Sequence, residues 1–243
     1  MKKIGLLLAS AFVAFGAQAQ WGLFGGVNFN HQIDHYQGPS TTNQIKVGAA
    51  AGVQYDISLN KNWSIMPALE YSLKGGEQQR TYQYYAADGI HQIQLKDKNS
   101  LHYVELPVDV VYKINMANGS KVFIGVGGYA SVLLSAYSNY KYKNEVGGGD
   151  NPLADVTASG TRTLHIGDKD GDDVHRFDFG LNGMLGYQMA NGWFVRGGVD
   201  VGVFNIIRTD NIGAYQSTLP STVTSTDPTS KNLTYNLSIG YNF

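Results

Sequence analysis

The chain has no cysteine and, past its first nineteen residues, no run of 18 consecutive apolar residues. The first absence excludes a disulfide framework, a thiolate metal site and a lipid-modified cysteine. The second excludes a transmembrane helix, which takes about 20 apolar residues. Long helix-forming runs are missing too. The 18 lysines and arginines face 19 acids, so a clustered basic footprint for nucleic acid is absent. No serine stands in a nucleophile motif, and no His-x-x-x-His pair falls on an expected helix. Gly125-Val-Gly127-Gly128 is followed by no helix, which rules it out as a dinucleotide fingerprint.

What is abundant is glycine, at 30, and tyrosine, at 16. The start, Met1-Lys2-Lys3, an apolar run from Ile4 to Ala14 and Ala17-Gln18-Ala19, reads as an export signal cleaved after Ala19. A retained anchor is the alternative, but the apolar run is too short to span a bilayer. Residues 1–19 are therefore set apart, and residues 20–243 are taken as one domain.

That domain alternates. In Asn232–Phe243, Leu233, Tyr235, Leu237, Ile239, Tyr241 and Phe243 share one face, and polar or small residues share the other. Strict period 2 marks a strand whose two faces meet different environments. An exposed aromatic edge invites aggregation, and pairing of this last strand with the first would remove the edge. Seven further segments alternate likewise: about 21–30, 46–58, 63–74, 101–114, 121–136, 174–189 and 193–207. Short connections follow the second, fourth and sixth, two of them holding Asn-Gly, a strong hairpin signal. Long polar connections follow the first, third, fifth and seventh. Short turns on one rim and long loops on the other predict an eight-stranded antiparallel up-and-down transmembrane β-barrel of the outer membrane, with turns periplasmic and loops extracellular. A mean hydropathy of −0.20 agrees, because every second strand residue faces the lumen.

Trp21, Trp63 and Trp193 each open an odd-numbered segment; Tyr55, Tyr112, Tyr187 and Tyr241 lie near the ends of even-numbered ones. All seven fall at the periplasmic rim as an aromatic girdle, the depth that suits a ring with a polar tip. The alternative is the core of a soluble sandwich. The opposite strand faces carry Lys46, Asp56, Glu70, Lys74, Glu105, Asp109, Lys113, Arg176, Asp178, Arg196 and Asp200. In an interior just wide enough for side chains, these are expected to pair into a charge network that plugs the lumen. A selective proton or ion path is the alternative. Pro67 and Pro107 cannot donate to a ladder, so each is expected at a bulge.

The stretch Leu101-His-Tyr-Val-Glu-Leu-Pro-Val-Asp-Val-Val-Tyr-Lys-Ile114, with its Tyr-x-x-x-Pro spacing, resembles the PorT-like outer-membrane β-barrel family of Bacteroidetes. So do Arg176–Tyr187, the following Asn-Gly turn with a Gly-rich strand, the Gln18-Ala19-Gln20 junction and the terminal Phe243. The resemblance implies insertion by the barrel assembly machinery, with Phe243 as an assembly signal. It is silent on activity.

Three features invite chemistry. Asp168-Lys-Asp170-Gly-Asp172-Asp173 spaces carboxylates as at the start of a calcium loop, but the Gly and Glu of an EF-hand are out of place. A solvated acidic loop is the plainer reading. His31, His35, His91, His102, His165 and His175 lie mostly in long loops or at the outer rim, as polar surface rather than catalytic groups. Gln78–Tyr85 mixes aromatics and amides suited to recognition; alternation resumes through Gly89–Leu95, predicting a hairpin beyond the membrane. The overall expectation is a monomeric barrel without cofactor, held in outer-membrane lipid, with a structural role or an extracellular ligand on its loops. A narrow channel or passive transporter is the alternative, and an outer-membrane enzyme a more distant one.

Overall fold

The computed structural model describes residues 19–35, 41–86, 89–147, 156–169, 171–207 and 229–243. The export-signal residues before Ala19 lie outside these. Eleven strands run in order: β1 Ala19–His35, β2 Thr41–Gln44, β3 Lys46–Ser58, β4 Trp63–Lys74, β5 Glu77–Ala86, β6 Gly89–Asn115, β7 Lys121–Gly147, β8 Val156–Thr163, β9 Phe177–Gln188, β10 Trp193–Gly202 and β11 Thr229–Asn242.

Eight of them close a ring: β1, β3, β4, β6, β7, β9, β10 and β11, each antiparallel to the next. The seam joins β1 to β11 in one register, from Gly22↔Asn242 to His35↔Thr229. The Phe243 amide donates to the Trp21 carbonyl at 2.8 Å. The closing strand thus leaves no barrel edge, and pairs as its alternation predicted.

The remaining strands build a second structure on the long-loop side. β6 and β7 are 27 residues each. Their distal halves leave the ring and pair on, from Ile90↔Gly147 inward. β5 adds to β6, β2 to β5 and β8 to β7. The result is a five-stranded sheet, β2-β5-β6-β7-β8, standing beyond the barrel. The hairpin expected from Gln78–Tyr85 and Gly89–Leu95 is its centre, β5 against β6. β5 is not a continuation of β4, however. Gly75, at φ 124, and Gly76 separate the two. The single register shift in the β6–β7 pairing lies between His102 and Tyr103, where Leu134 is the extra residue on β7. A bulge bends and twists a strand, and this one sits where the ladder departs from the ring.

One expectation needs correction. No register shift occurs at Pro67 or Pro107. Instead the ladder skips two residues on one side of each. The β3–β4 pairs jump from Gln54↔Ala68 to Ile57↔Ile65, and the β4–β6 pairs from Pro67↔Val108 to Glu70↔Glu105, without change of register. The gap falls on the side toward which each missing N–H would have pointed; Pro107 still pairs with Tyr129 on β7. The Asn-Gly turns are three-residue loops. Met116-Ala-Asn-Gly-Ser120 and Met189-Ala-Asn-Gly-Trp193 repeat one geometry, with the glycine amide bonded to the methionine carbonyl at 3.1 Å in both. Gly119 and Gly192 take φ 81 and 93, the left-handed position that follows a type I turn in this loop class.

Outside, the ring is apolar. Leu23, Val27 and Phe29 on β1, Leu106, Val108 and Val110 on β6, and Tyr235, Leu237 and Ile239 on β11 are among its exposed side chains. Inside are two apolar clusters with polar layers between. One, near the short turns, holds Phe24, Met66, Ala68, Val111, Phe123, Met184 and Phe194. Its rings fit a narrow bore because glycines face them: a Cβ on Gly186 or Gly240 would lie closer than 3.0 Å to Phe123 or Phe194.

Candidate functional site

Ionisable side chains converge inside the ring, where most of them are buried. Inward positions repeat every second residue, so each strand delivers its charges at fixed heights. Near the short-turn end, Lys113 bonds Asp56, both buried. Above them, Gln54 links Arg196 at 2.9 Å to Asn242 at 3.0 Å, and Asn242 donates to Gln188 at 3.2 Å. The Arg196 guanidinium stacks on Phe24 at 4.1 Å, which joins the polar chain to the apolar cluster.

At mid-height Glu70 and Glu105 stand directly opposite across β4 and β6. Two like charges so placed repel. Lys74, fully buried, answers with a 2.7 Å bond to Glu105. Its ammonium also lies 4.2 Å from the Tyr129 ring centre and 5.8 Å from that of Tyr103. Three further carboxylates each accept from an asparagine: Asp109 from Asn182 at 2.7 Å, Asp178 from Asn232 at 2.9 Å, and Asp200 from Asn236 at 3.2 Å. A cavity of about 40 Å³, lined among others by Glu70, Glu105, Asp109, Arg196 and Asp200, has room for about three waters. Lys46 lies toward the long-loop end, its ammonium on the Lys74 carbonyl at 3.1 Å and the Ser100 hydroxyl at 2.9 Å.

Arg176 does not join this network. It precedes β9, is exposed, and donates to the Ile166 carbonyl at 3.2 Å. The alternation that put it inward ends at Phe177, where the chain leaves the ring.

Over the network sits a second apolar cluster: Leu101, Tyr103, Leu133 and Ala136 from the strands, with Leu164, Val174 and Ile206 from the loops, backed by Ile166 and Ile207. Sequence reasoning missed this cap, having placed Leu164 in a long polar connection and Val174 and Ile206 at the ends of segments 174–189 and 193–207, which the observed strands β9 and β10 do not reach. Leu164-x-Ile166 and Ile206-Ile207 were the available signal. It also passed over the asparagines, which serve as partners of the three mid-lumen aspartates.

The other anticipated sites fall as follows. Trp21 packs on Tyr55, Trp63 on Tyr112 and Trp193 on Tyr241, with ring centres 4.6, 4.9 and 5.5 Å apart. Tyr187 is exposed on the same rim, and Phe243 lies 5.2 Å from Tyr241. Asp168 and Asp172 turn to separate partners, the first to His175 at 2.7 Å, the second to the Lys169 amide at 2.8 Å. Asp170 lies outside the described residues, among which no group of three potential metal ligands gathers. His165 faces Asp173 at 3.4 Å. His102 bonds the Tyr71 hydroxyl and meets the Tyr137 ring edge-on at 5.1 Å. In the sheet beyond the barrel, burial pushes the Asp97 carboxyl above its ordinary range, and Arg80 and Arg162 pull it back in part.

Residues 15–208 match the family model described as outer membrane protein beta-barrel domain. No curated protein sequence matches the chain. Among solved structures it is similar to Ail, the attachment invasion locus protein of Yersinia pestis, at 12% identity over 93% of this chain and 99% of that one, with a TM-score of 0.35. It is similar also to Neisserial surface protein A, at 9% identity over 93% and 99%, with a TM-score of 0.36.

Proposed function

The chain belongs to the outer membrane protein beta-barrel domain family, and from that premise we propose that it is a sealed, non-enzymatic barrel whose work is done at the cell surface by the sheet beyond the ring. It is an outer membrane protein, so its apolar belt faces lipid and its short turns face the periplasm. The observation that supports the reading is the packing of side chains inside the ring. An apolar cluster lies toward each end of the bore, and the cavity lined by Glu70, Glu105, Asp109, Arg196 and Asp200 measures about 40 Å³. A charge network in such an interior acts as a brace. An ion crossing it would have to displace Lys74 from Glu105 and part the cap. The PorT-like resemblance fits within this reading. Tyr103 and Pro107, four residues apart on one inward face of β6, hold the cap and the ladder gap respectively. Phe243 is read as an assembly signal, supported by its place on the seam beside Trp21.

The test is conductance. Purified protein in planar bilayers is expected to pass no steady current, while running as a heat-modifiable band on gels. A stable, ion-selective open level would overturn the sealed-barrel reading in favour of a narrow channel.

A further inference from the structure

On β6 the outward side chains from Tyr112 through Val110, Val108, Leu106 and Val104 are apolar, and His102 follows. A tilted strand rises about 2.5 Å per residue along the barrel axis. Tyr112 to His102 therefore covers about 25 Å, the height of an outer-membrane apolar band. Tyr71, His102 and Tyr137 form an aromatic group at its upper end, the amphipathic kind of side chain that settles at a headgroup layer. On β6 the same face continues upward into the five-stranded sheet, past the bulge at Leu134 of β7 and past Ser100, whose hydroxyl accepts from Lys46, and there its character changes. Lys98 comes two positions above Ser100, then Lys96. The register sets Lys141 of β7 opposite Lys96, and Lys143 opposite Gln94.

Four ammoniums therefore share one face. Two carboxylates answer them: Glu77 lies 2.6 Å from Lys96 and 3.9 Å from Lys98, and Glu145 bonds Lys143. Lys96 and Lys141, directly opposed, repel, and Lys141 is exposed with no carboxylate partner among the described residues. The other outward positions of this face are uncharged donors and acceptors: Gln79 and Thr81 on β5, Asn139 on β7, Ser159 and Thr161 on β8. The backbone of Lys98 stands about 10 Å above His102, that of Lys96 and Lys141 about 15 Å. With flexible stems that snorkel, all three ammoniums come within about one Debye length, roughly 8 Å, of the headgroup layer.

We propose that this face binds the phosphorylated headgroups of outer-leaflet lipid, with Lys96, Lys98 and Lys141 as the phosphate contacts. The continuity of the face with the lipid belt selects that occupant. A membrane lipid is already held alongside the strands, so its headgroup arrives at this height without a separate binding event. The inference rests on the surface orientation proposed above and adds a ligand class to it.

The experiment uses the full chain folded into vesicles of phosphatidylcholine, with or without 20 mol% (about one lipid in five, enough to populate a headgroup site) of diphosphorylated lipid A. An amine-reactive label is followed lysine by lysine. Lys96, Lys98 and Lys141 are expected to label about fivefold more slowly with lipid A, the effect of one basic residue at an anionic surface. Lys61, on the short turn of the opposite rim, is expected to be unchanged. Dephosphorylated lipid A should not protect, and high salt should restore labelling. The variant with all three lysines changed to glutamine should stay heat-modifiable and lose the thermal shift that lipid A gives the parent protein. Equal labelling with and without lipid A would overturn the proposal. So would equal protection by inorganic phosphate or a soluble polyanion in phosphatidylcholine alone, which would mark a soluble ligand. A missing heat-modifiable band in phosphatidylcholine would instead sink the barrel orientation, a separate outcome.

Discussion

Removing the Lys74 ammonium by Lys74→Met tests the brace at its centre. Methionine keeps the length of the stem and deletes the charge. Lys74 is fully buried, and its 2.7 Å bond to Glu105 lies at the height where Glu70 and Glu105 oppose each other. The substitution leaves Glu105, which is buried, a carboxylate without its cation. It also removes the cation over Tyr129, worth about 1–2 kcal/mol at a desolvated site. Removing one partner of a buried ion pair costs about 3–5 kcal/mol, and the like-charge neighbours place this case in the upper half of that range. The assay is urea-driven unfolding from vesicles, followed by tryptophan fluorescence and by gel mobility. Lys74→Met/Glu105→Leu removes both charges, and is expected to recover at least half of the loss, because an apolar replacement of a whole pair is often neutral. A loss under about 1 kcal/mol in the single variant would refute the reasoning. So would a double variant no more stable than the single, since the cost would then lie in packing rather than in an orphaned charge.

Gly186→Val sets a side chain against the Phe123 ring. It should cost about 1–3 kcal/mol by overpacking, and much of that should return when Phe123→Ala is added, as read by the same unfolding assay. Asp97 has a folded-state pKa above its unfolded one, chiefly from burial. Its ionisation therefore works against the sheet beyond the barrel, and that penalty lifts as pH falls through the raised value toward the unfolded one. Asp97→Asn should make hydrogen exchange in β5–β8 no faster at neutral pH and should flatten its dependence on acid. A clear acceleration at pH 7 would mean that Arg80 and Arg162 outweigh burial.

The membrane half of the molecule was legible for a plain reason. Between Lys46 and Lys74 each strand has lipid on one side and a packed bore on the other, so the alternation is strict. The observed bounds of β3 and β4, Lys46–Ser58 and Trp63–Lys74, coincide with the ends of the pattern. Above the bilayer the constraint weakens. The distal halves of β6 and β7 have no lipid to select apolar residues, and Lys141 or Gln92 is as acceptable there as valine. Their full length was therefore hidden, although the hairpin of β5 and β6 left a trace in Gln78–Tyr85. Arg176 misled because period 2 says which face a residue takes, not where the strand starts. The cap was hidden for a related reason. Leu164, Val174 and Ile206 come from irregular segments, and only the closed ring beneath them makes those scattered positions neighbours.

The seam between β1 and β11 sets an order on events during folding. Gly22 and Asn242 lie far apart along the sequence, so their contact closes a very long loop. The entropy of that closure is lost before the pairing returns anything. Each hairpin joined by a Met-Ala-Asn-Gly turn can form locally and early, whereas the ring becomes a ring only at its last step. Until then β1 has one free edge and β11 another, and both are the adhesive kind. Pairing β1 with β11 therefore removes both free edges in a single step.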